Sequence, residues 1–110
     1  NFPCSKGDQL RDFVYIDDVV NAILKALKSK NAKGHIINIG TGKPKKIKKI
    51  IQEVKKKLKG GYPEFGKIKL RKDEILKIYP SIKKAKNIIN WKPKVNFESG
   101  LKLTIKFYNE

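Results

Sequence analysis

The sequence has 110 residues, about the length of one domain, and its 27 Lys and Arg residues against 10 Asp and Glu residues give a net charge of +17. Apolar runs are too short for a membrane span, and the single cysteine, Cys4, cannot form a disulfide framework or a paired-cysteine metal site. Lysines occur along the whole chain, which argues against a dedicated nucleic-acid role, and the lone cysteine favours a reducing, cytoplasmic setting.

The N-terminal segment predicts a loop, a strand and a first helix, in that order. Residues 1–10 are rich in turn-forming types and predict a loop, whereas the alternating pattern of residues 11–16 predicts a short strand. Asp17 is the expected N-cap of a helix that continues to about Lys28, and Asp18 suits the positive start of that helix. The pattern assigns this acidic pair to helix capping rather than to paired catalytic carboxylates.

The middle of the sequence predicts a second strand and a second, amphipathic helix. The β-branched run of residues 35–39 predicts a strand, and Gly40-Thr41-Gly42 predicts a tight turn, because no GxGxxG phosphate loop follows. Pro44 suits the first turn of a helix whose apolar residues form one stripe opposite a lysine-rich face. The stripe consists of Ile47, Ile50, Ile51, Val54 and Leu58.

The last part of the sequence predicts extended chain and two further helices. Residues 67–71 follow a glycine-rich loop and predict an extended segment. Ser81 is the expected N-cap of a third helix, which Asn90 ends in the left-handed conformation, and Asn96 and Glu98 open a fourth helix. Because so few strands make a marginal sheet and the chain contains no Met, we expect a fragment or subdomain that packs on a larger structure.

Only two of the basic residues, Arg11 and Arg71, are arginines. The planar guanidinium of arginine binds a phosphate or a carboxylate through two parallel hydrogen bonds, which lysine cannot do. The sequence therefore predicts an anion held in fixed geometry at these two positions. The alternative is an intramolecular ion pair, with Asp12, Asp17 or Asp18 for Arg11 and with Asp73 or Glu74 for Arg71.

Five short motifs follow one another in an order and at spacings that are typical of a known enzyme family. These motifs are Arg11 to Val20, Asn38-Ile39-Gly40-Thr41-Gly42, Arg71-Lys72-Asp73-Glu74, Ala85-Lys86 and Trp91-Lys92-Pro93-Lys94. Together they resemble the C-terminal portion of NAD-dependent epimerases and dehydratases, which are extended short-chain dehydrogenases/reductases that act on nucleotide sugars. The resemblance runs from Gly7 to Tyr108. It implies that residues 1–110 are the substrate-binding segment of a Rossmann-type α/β enzyme, helix-rich with a few short strands, with the N-terminal Rossmann half missing.

The resemblance also implies roles for residues and partners. In the family, arginines at the positions of Arg11 and Arg71 reach the diphosphate of the nucleotide sugar, which is the expected substrate. NAD or NADP would be bound by the missing N-terminal Rossmann half, which is the expected partner of this segment. The family also allows a homodimeric parent protein, and no membrane partner is expected.

The departures from the family pattern concern catalysis. The sequence has no GxxGxxG loop, and its one Tyr-x-x-x-Lys spacing, Tyr79 with Lys83, is interpreted as coincidence because Pro80 and Ser81 interrupt the required helix. We therefore expect no catalytic, cofactor-binding or metal-binding residue here, and no activity of the segment alone. Three alternatives remain open. The first is a ketosugar reductase of the same family, favoured by the stretch from Phe65 to Arg71; the second is a small basic nucleic-acid-binding module; the third is a non-functional fragment such as a split or truncated gene product.

Overall fold

The computed structural model describes residues 1–109, and the chain divides into two compact units. Unit 1 contains Asn1–Arg11 and Pro44–Ile78, and unit 2 contains Asp12–Lys43 and the chain from Tyr79 onward. In chain order the elements are β1 (Phe2–Cys4), β2 (Leu10–Arg11), α1 (Ile16–Lys28), β3 (Lys45–Lys46), α2 (Ile47–Leu58), β4 (Pro63–Phe65), α3 (Lys83–Ile89) and α4 (Phe97–Tyr108). The predicted helix-rich α/β class with a few short strands is confirmed. Within residues 1–109, none of these helices has the length and apolar character needed to cross a bilayer.

Unit 1 is built on two short strand pairs. Strand β1 pairs in parallel with β4, and β2 pairs antiparallel with β3 through Leu10 with Lys46 and Arg11 with Lys45. The loop predicted for residues 1–10 is therefore wrong where β1 forms. The strand predicted for residues 11–16 is wrong beyond Arg11. The partner strands of β1 and β2 lie far away in the sequence, where local periodicity carries no information, and residues 12–15 pair with no strand among the described residues.

Helix α2, in unit 1, contains the residues of the predicted apolar stripe. It begins at Ile47 rather than at Pro44, because Lys45 and Lys46 are paired with β2 before the helix starts. The helix ends at Leu58, and the following Lys59 adopts the left-handed conformation at φ 55° where glycine is more usual. The prediction of an amphipathic helix is thus confirmed and its first turn is corrected.

The core of unit 2 surrounds Trp91, whose side chain is completely buried together with Ala22 of α1 and with Ala85 and Ile89 of α3. The indole of Trp91 donates its Nε1–H to the backbone carbonyl of Asp18 at 2.9 Å. A buried indole needs such an acceptor, since an unpaired polar group in the core is destabilising. This bond joins the start of α1 to the segment that follows α3.

The carboxylate of Asp18 strengthens the same connection. Asp18 is only 4% exposed, and its Oδ2 accepts hydrogen bonds from the backbone N–H groups of Lys94 at 3.1 Å and Val95 at 3.0 Å. The predicted N-cap, Asp17, is wrong, because the cap position is Tyr15 and no side chain caps the helix. The capping role predicted for the acidic pair is therefore not observed, and the structural contact comes from Asp18, which binds a distant loop.

Of the remaining predictions for unit 2, two that depend on local sequence are confirmed and two are wrong. Asn90 does end α3 in the left-handed conformation, and Asn96 does cap α4 by accepting from the backbone N–H of Ser99. Ser81 is not a cap, because α3 starts later and its cap position is Ile82. The strand predicted for residues 35–39 is wrong, since this segment has no strand partner among the described residues.

We predict that replacing Asp18 by Ala destabilises the protein by about 2–3 kcal/mol, because it leaves two backbone donors without their charged acceptor. Urea unfolding followed by the fluorescence of Trp91, the single tryptophan, measures the change. The matched control is Asp17→Ala, which removes an exposed carboxylate from the same helix turn and should cost less than about 1 kcal/mol. Equal losses in the two variants would contradict the assignment.

Candidate anion-binding site

Strand β2, which carries Arg11, is held by backbone hydrogen bonds on both of its edges. Strand β2 pairs with β3 on one side, and on the other the N–H of Leu10 donates to the carbonyl of Leu76 at 2.7 Å. The N–H of Ile78 in turn donates to the carbonyl of Leu10 at 3.2 Å. This arrangement brings Arg11 alongside residues 71–78, although the two segments are far apart in the sequence.

A tight turn supplies the other members of the site. The backbone N–H of Glu74 donates to the carbonyl of Arg71 at 3.1 Å, which closes a turn over residues 71–74. The side chains of Arg71 and Glu74 therefore lie on the same side of this turn and can meet each other. The segment predicted as extended, residues 67–71, forms no strand in the described part of the chain, and the nearest strand, β4, ends at Phe65.

Both guanidinium groups bind the single carboxylate of Glu74. Nη2 of Arg11 lies 2.9 Å from Oε1 of Glu74, while Nη2 and Nε of Arg71 lie 3.0 and 3.2 Å from Oε2. Arg11 also donates from Nη1 to the carbonyl of Leu10 at 2.8 Å. The two arginines of the chain thus converge on one acidic side chain, with one carboxylate oxygen for each.

The two ion pairs differ in their exposure. The side chains of Arg11 and Glu74 are 26% and 13% exposed, whereas that of Arg71 is 80% exposed. Solvent and salt screen an exposed pair, so the contact of Arg71 adds little stability. Most of the Arg71 guanidinium is therefore accessible to another anion, while Arg11 is held in place by its backbone and by two acceptors.

The cluster of Arg11, Arg71 and Glu74 keeps unused capacity for an anion. Each guanidinium has five N–H donors, and the described residues accept only part of them. Two cations share one anion, so the cluster carries excess positive charge. Such an arrangement suits a ligand with several negatively charged oxygens, for example a phosphate or diphosphate.

The structure also decides which of the expected ion pairs form. The pair of Arg71 with Glu74 was one of the alternatives from the sequence, and it is present. The partners expected for Arg11 were all near it in the sequence, and that alternative is wrong because the partner is Glu74, 63 residues away. Glu74 as a bridge between both arginines was missed, since no local signal reports a contact over that distance.

A second polar cluster lies in unit 2 around Asp12. Its carboxylate accepts hydrogen bonds from the backbone N–H groups of Thr41 at 2.7 Å and Gly42 at 2.9 Å, and also from the hydroxyl of Thr41. Gly40 is buried, and a Cβ at this position would lie 2.5 Å from the ring of Pro80 and 2.6 Å from the Asp12 carboxylate. The glycine turn is therefore a fixed structural connection, as the sequence predicted.

The Tyr-x-x-x-Lys spacing does not form a helical pair. Tyr79 lies in the loop before α3, and Lys83 is the first residue of that helix. One helix turn carrying both side chains on the same face is therefore not present at this position. The interpretation of this spacing as coincidence is supported.

Comparison with known proteins gives the family of this chain. Residues 2–104 match the family model described as GDP-mannose 4,6 dehydratase. The chain belongs to the NAD-dependent epimerase/dehydratase family. The resemblance to extended short-chain dehydrogenases/reductases is thereby confirmed.

Similar proteins within the family act on different nucleotide sugars. UDP-glucuronate 4-epimerase of Thermodesulfobacterium geofontis is 36% identical over 105 residues, which cover 94% of this chain and 32% of that protein. CDP-abequose synthase of Salmonella muenchen is 34% identical over 101 residues, which cover 90% of this chain and 34% of that protein. The crystal structure of UDP-glucose 4-epimerase from Thermotoga maritima with UDP-glucose has a TM-score of 0.83 at 34% identity, over 94% of this chain and 32% of that chain.

The chain spans about a third of the length of the curated relatives it matches. Structures with this fold have been solved with NAD and with NADPH bound, and the family uses these cofactors. The glycine turn of this chain does not fit the phosphates of a dinucleotide, because Asp12 already accepts from the N–H groups of Thr41 and Gly42.

We predict that Gly40→Ala destabilises the protein by about 1–3 kcal/mol, because the new methyl group would overlap Pro80 and the Asp12 carboxylate. The control is Gly60→Ala, where the nearest atom to a new Cβ is a backbone oxygen 3.9 Å away, so a change within about 0.5 kcal/mol is expected. Urea unfolding of both variants measures the difference. A Gly40 variant as stable as the wild type would show that this turn is not tightly packed.

Proposed function

We propose that residues 1–110 are the substrate-binding segment of an enzyme that acts on a nucleotide sugar by NAD(P)-dependent hydride transfer. In this proposal Arg11 and Arg71 bind the diphosphate of the nucleotide sugar. The observation that carries the proposal is the convergence of both arginines on one point of unit 1, with excess positive charge and unused donors. Family membership supports the substrate class.

A diphosphate is well matched to this cluster. Its oxygens accept paired, charge-assisted hydrogen bonds, which are stronger and more directional than contacts to a lysine ammonium group. Arg11 would provide a fixed contact, and the exposed Arg71 would offer its free donors to the ligand from the turn. Anchoring the diphosphate positions the attached sugar, so that binding energy far from the reacting atoms favours the chemical step.

The proposal assigns cofactor binding and chemistry to a Rossmann half outside this segment. The supporting observation is the apolar outer stripe of α1, which is defined by Ile16, Val20, Ile23, Leu24 and Leu27. These residues recur at helical spacing, and Leu27 is 78% exposed although the opposite face of α1 packs in the core. An apolar stripe of this kind marks a surface that another structure covers.

Residues 35–39 support the same conclusion. Their β-branched sequence favours a strand, and the described part of the chain offers them no strand to pair with. A sheet in the relatives' remaining two-thirds of sequence would provide that partner and would cover the outer stripe of α1. We propose this sheet as the partner, with NAD or NADP bound there, in a cytoplasmic enzyme.

Two reactions remain candidates within this proposal. Epimerisation or dehydration is favoured by the similarity to sugar 4-epimerases and by the matching family model. Reduction of a ketosugar is favoured by the likeness to CDP-abequose synthase and by the stretch that precedes Arg71. In both reactions the two arginines would bind the diphosphate in the same way, so the site in unit 1 does not distinguish between them.

We predict that Arg11→Lys and Arg71→Lys each weaken binding of nucleoside diphosphates and nucleotide sugars by about tenfold, because lysine keeps the charge but loses the paired hydrogen bonds. Calorimetric titration of the full protein measures the affinity, and circular dichroism confirms an unchanged fold. In the active enzyme, the KM for the sugar should rise while its KM for NAD(P) stays constant.

The matched control for both arginine variants is Lys72→Gln, which removes a full charge from the neighbour of Arg71 but no paired donor. Its effect on affinity should be smaller than that of either charge-conserving arginine variant. Wild-type affinity in both arginine variants would contradict the proposed site. Strong, salt-sensitive binding to any polyanion without preference for nucleoside diphosphates would instead favour the nucleic-acid module.

We predict that the 110-residue chain alone has no activity, because the proposed chemistry lies in another part of the enzyme. The test supplies the isolated chain with NAD(P) and a panel of nucleotide sugars, and follows products by chromatography. Bound nucleoside diphosphate in a parallel titration shows that the chain used is folded. Turnover of any nucleotide sugar by the isolated chain would overturn this division of roles.

A further inference from the structure

We propose that Glu74 is a positioning residue, whose carboxylate orients Arg11 and Arg71 for one shared anion. This inference rests on the proposed function, since it names the group that prepares the diphosphate site. The resemblance in sequence pointed to the two arginines, whereas the role of Glu74 comes from the geometry alone. Glu74 need not touch the ligand to play this role.

The division of the carboxylate between the two arginines carries the argument. Oε1 accepts from Arg11 and Oε2 accepts from Arg71, so the plane of one carboxyl group sets the relative placement of two guanidinium groups. Hydrogen bonds from a guanidinium to a carboxylate are directional. Two flexible side chains are thereby ordered before a ligand arrives, and less conformational entropy is lost when it binds.

Glu74 is the anchored member of the three side chains. Its side chain is 13% exposed, the lowest value of the three, and its backbone N–H closes the turn to Arg71 at 3.1 Å. Arg71 is mostly in solvent and gains its direction from Glu74 rather than from packing. Glu74 is thus the most buried of the three side chains and lies on a closed turn, which makes its carboxylate the common reference for both guanidinium groups.

Simple electrostatics predicts the opposite influence of Glu74 on anion binding. A carboxylate beside two arginines reduces their attraction for a phosphate, so its removal would strengthen binding if charge alone mattered. A positioning role predicts weaker binding after removal, because the arginines then lose their common orientation. The sign of the change therefore separates the two accounts.

The experiment compares Glu74→Gln, Glu74→Asp and Asp73→Asn in the full protein, with UDP, CDP and GDP as probes in calorimetric titrations. We expect Glu74→Gln to weaken binding by about tenfold although it removes a negative charge. Glu74→Asp keeps the charge but is one methylene shorter, so it should also weaken binding. Asp73→Asn removes the same charge next to Glu74 from a side chain that has no partner among the described residues, and it should bind equally or more tightly.

A measurement without ligand separates this inference from the proposed function. NMR of the arginine side chains reports rotation of each guanidinium group, which should be slow for Arg11 in the wild type and fast in Glu74→Gln. If the wild type binds no nucleoside diphosphate, the proposed function fails, and the NMR result still decides whether Glu74 orients the arginines. Tighter binding by Glu74→Gln, wild-type affinity of Glu74→Asp, or unchanged guanidinium rotation would overturn the positioning role.

Discussion

The sharing of Glu74 by the two arginines is the contact on which the account of this chain depends. It joins β2 to a turn more than sixty residues later, and it requires the backbone bonds of Leu10 to Leu76 and Ile78. Arg11 is largely buried in this framework and Arg71 is mostly exposed, so the cluster combines a shielded guanidinium with an accessible one. That combination suits binding of a diphosphate, because the contacts to Glu74 direct both guanidinium groups before the ligand arrives and the exposed one keeps free donors.

The parts of the fold that depend on local periodicity could be read from the sequence. The apolar stripe of α2, the left-handed Asn90 and the Asn96 cap are local features, and the structure contains all three. The misplaced elements depend on distant partners: β1 on β4, for example. Asp18 shows the same limit, because an acidic residue at a helix start suggests a helix cap, whereas its carboxylate accepts from two backbone N–H groups in a remote loop.

The site itself was only half visible in the sequence. The two arginines stand out because lysine fills the other basic positions, and the family resemblance gives both of them one ligand. Their common carboxylate could not be found this way, because a pair separated by 63 residues leaves no spacing signal. The proposed division between substrate binding and chemistry also depends on the exposed outer stripe of α1, which sequence periodicity alone describes as ordinary amphipathic structure. The missing strand partners of residues 35–39 were by contrast expected from the sequence.

The central claim is that the cluster in unit 1 recognises a diphosphate rather than negative charge in general. The most direct measurement is a calorimetric comparison of nucleoside diphosphates with the matching monophosphates, on the full protein at low and at physiological salt. The account predicts that at least one diphosphate binds about tenfold or more tightly than its monophosphate, and that this ratio persists at physiological salt. Equal affinities for each pair, or a preference that disappears with salt, would contradict it.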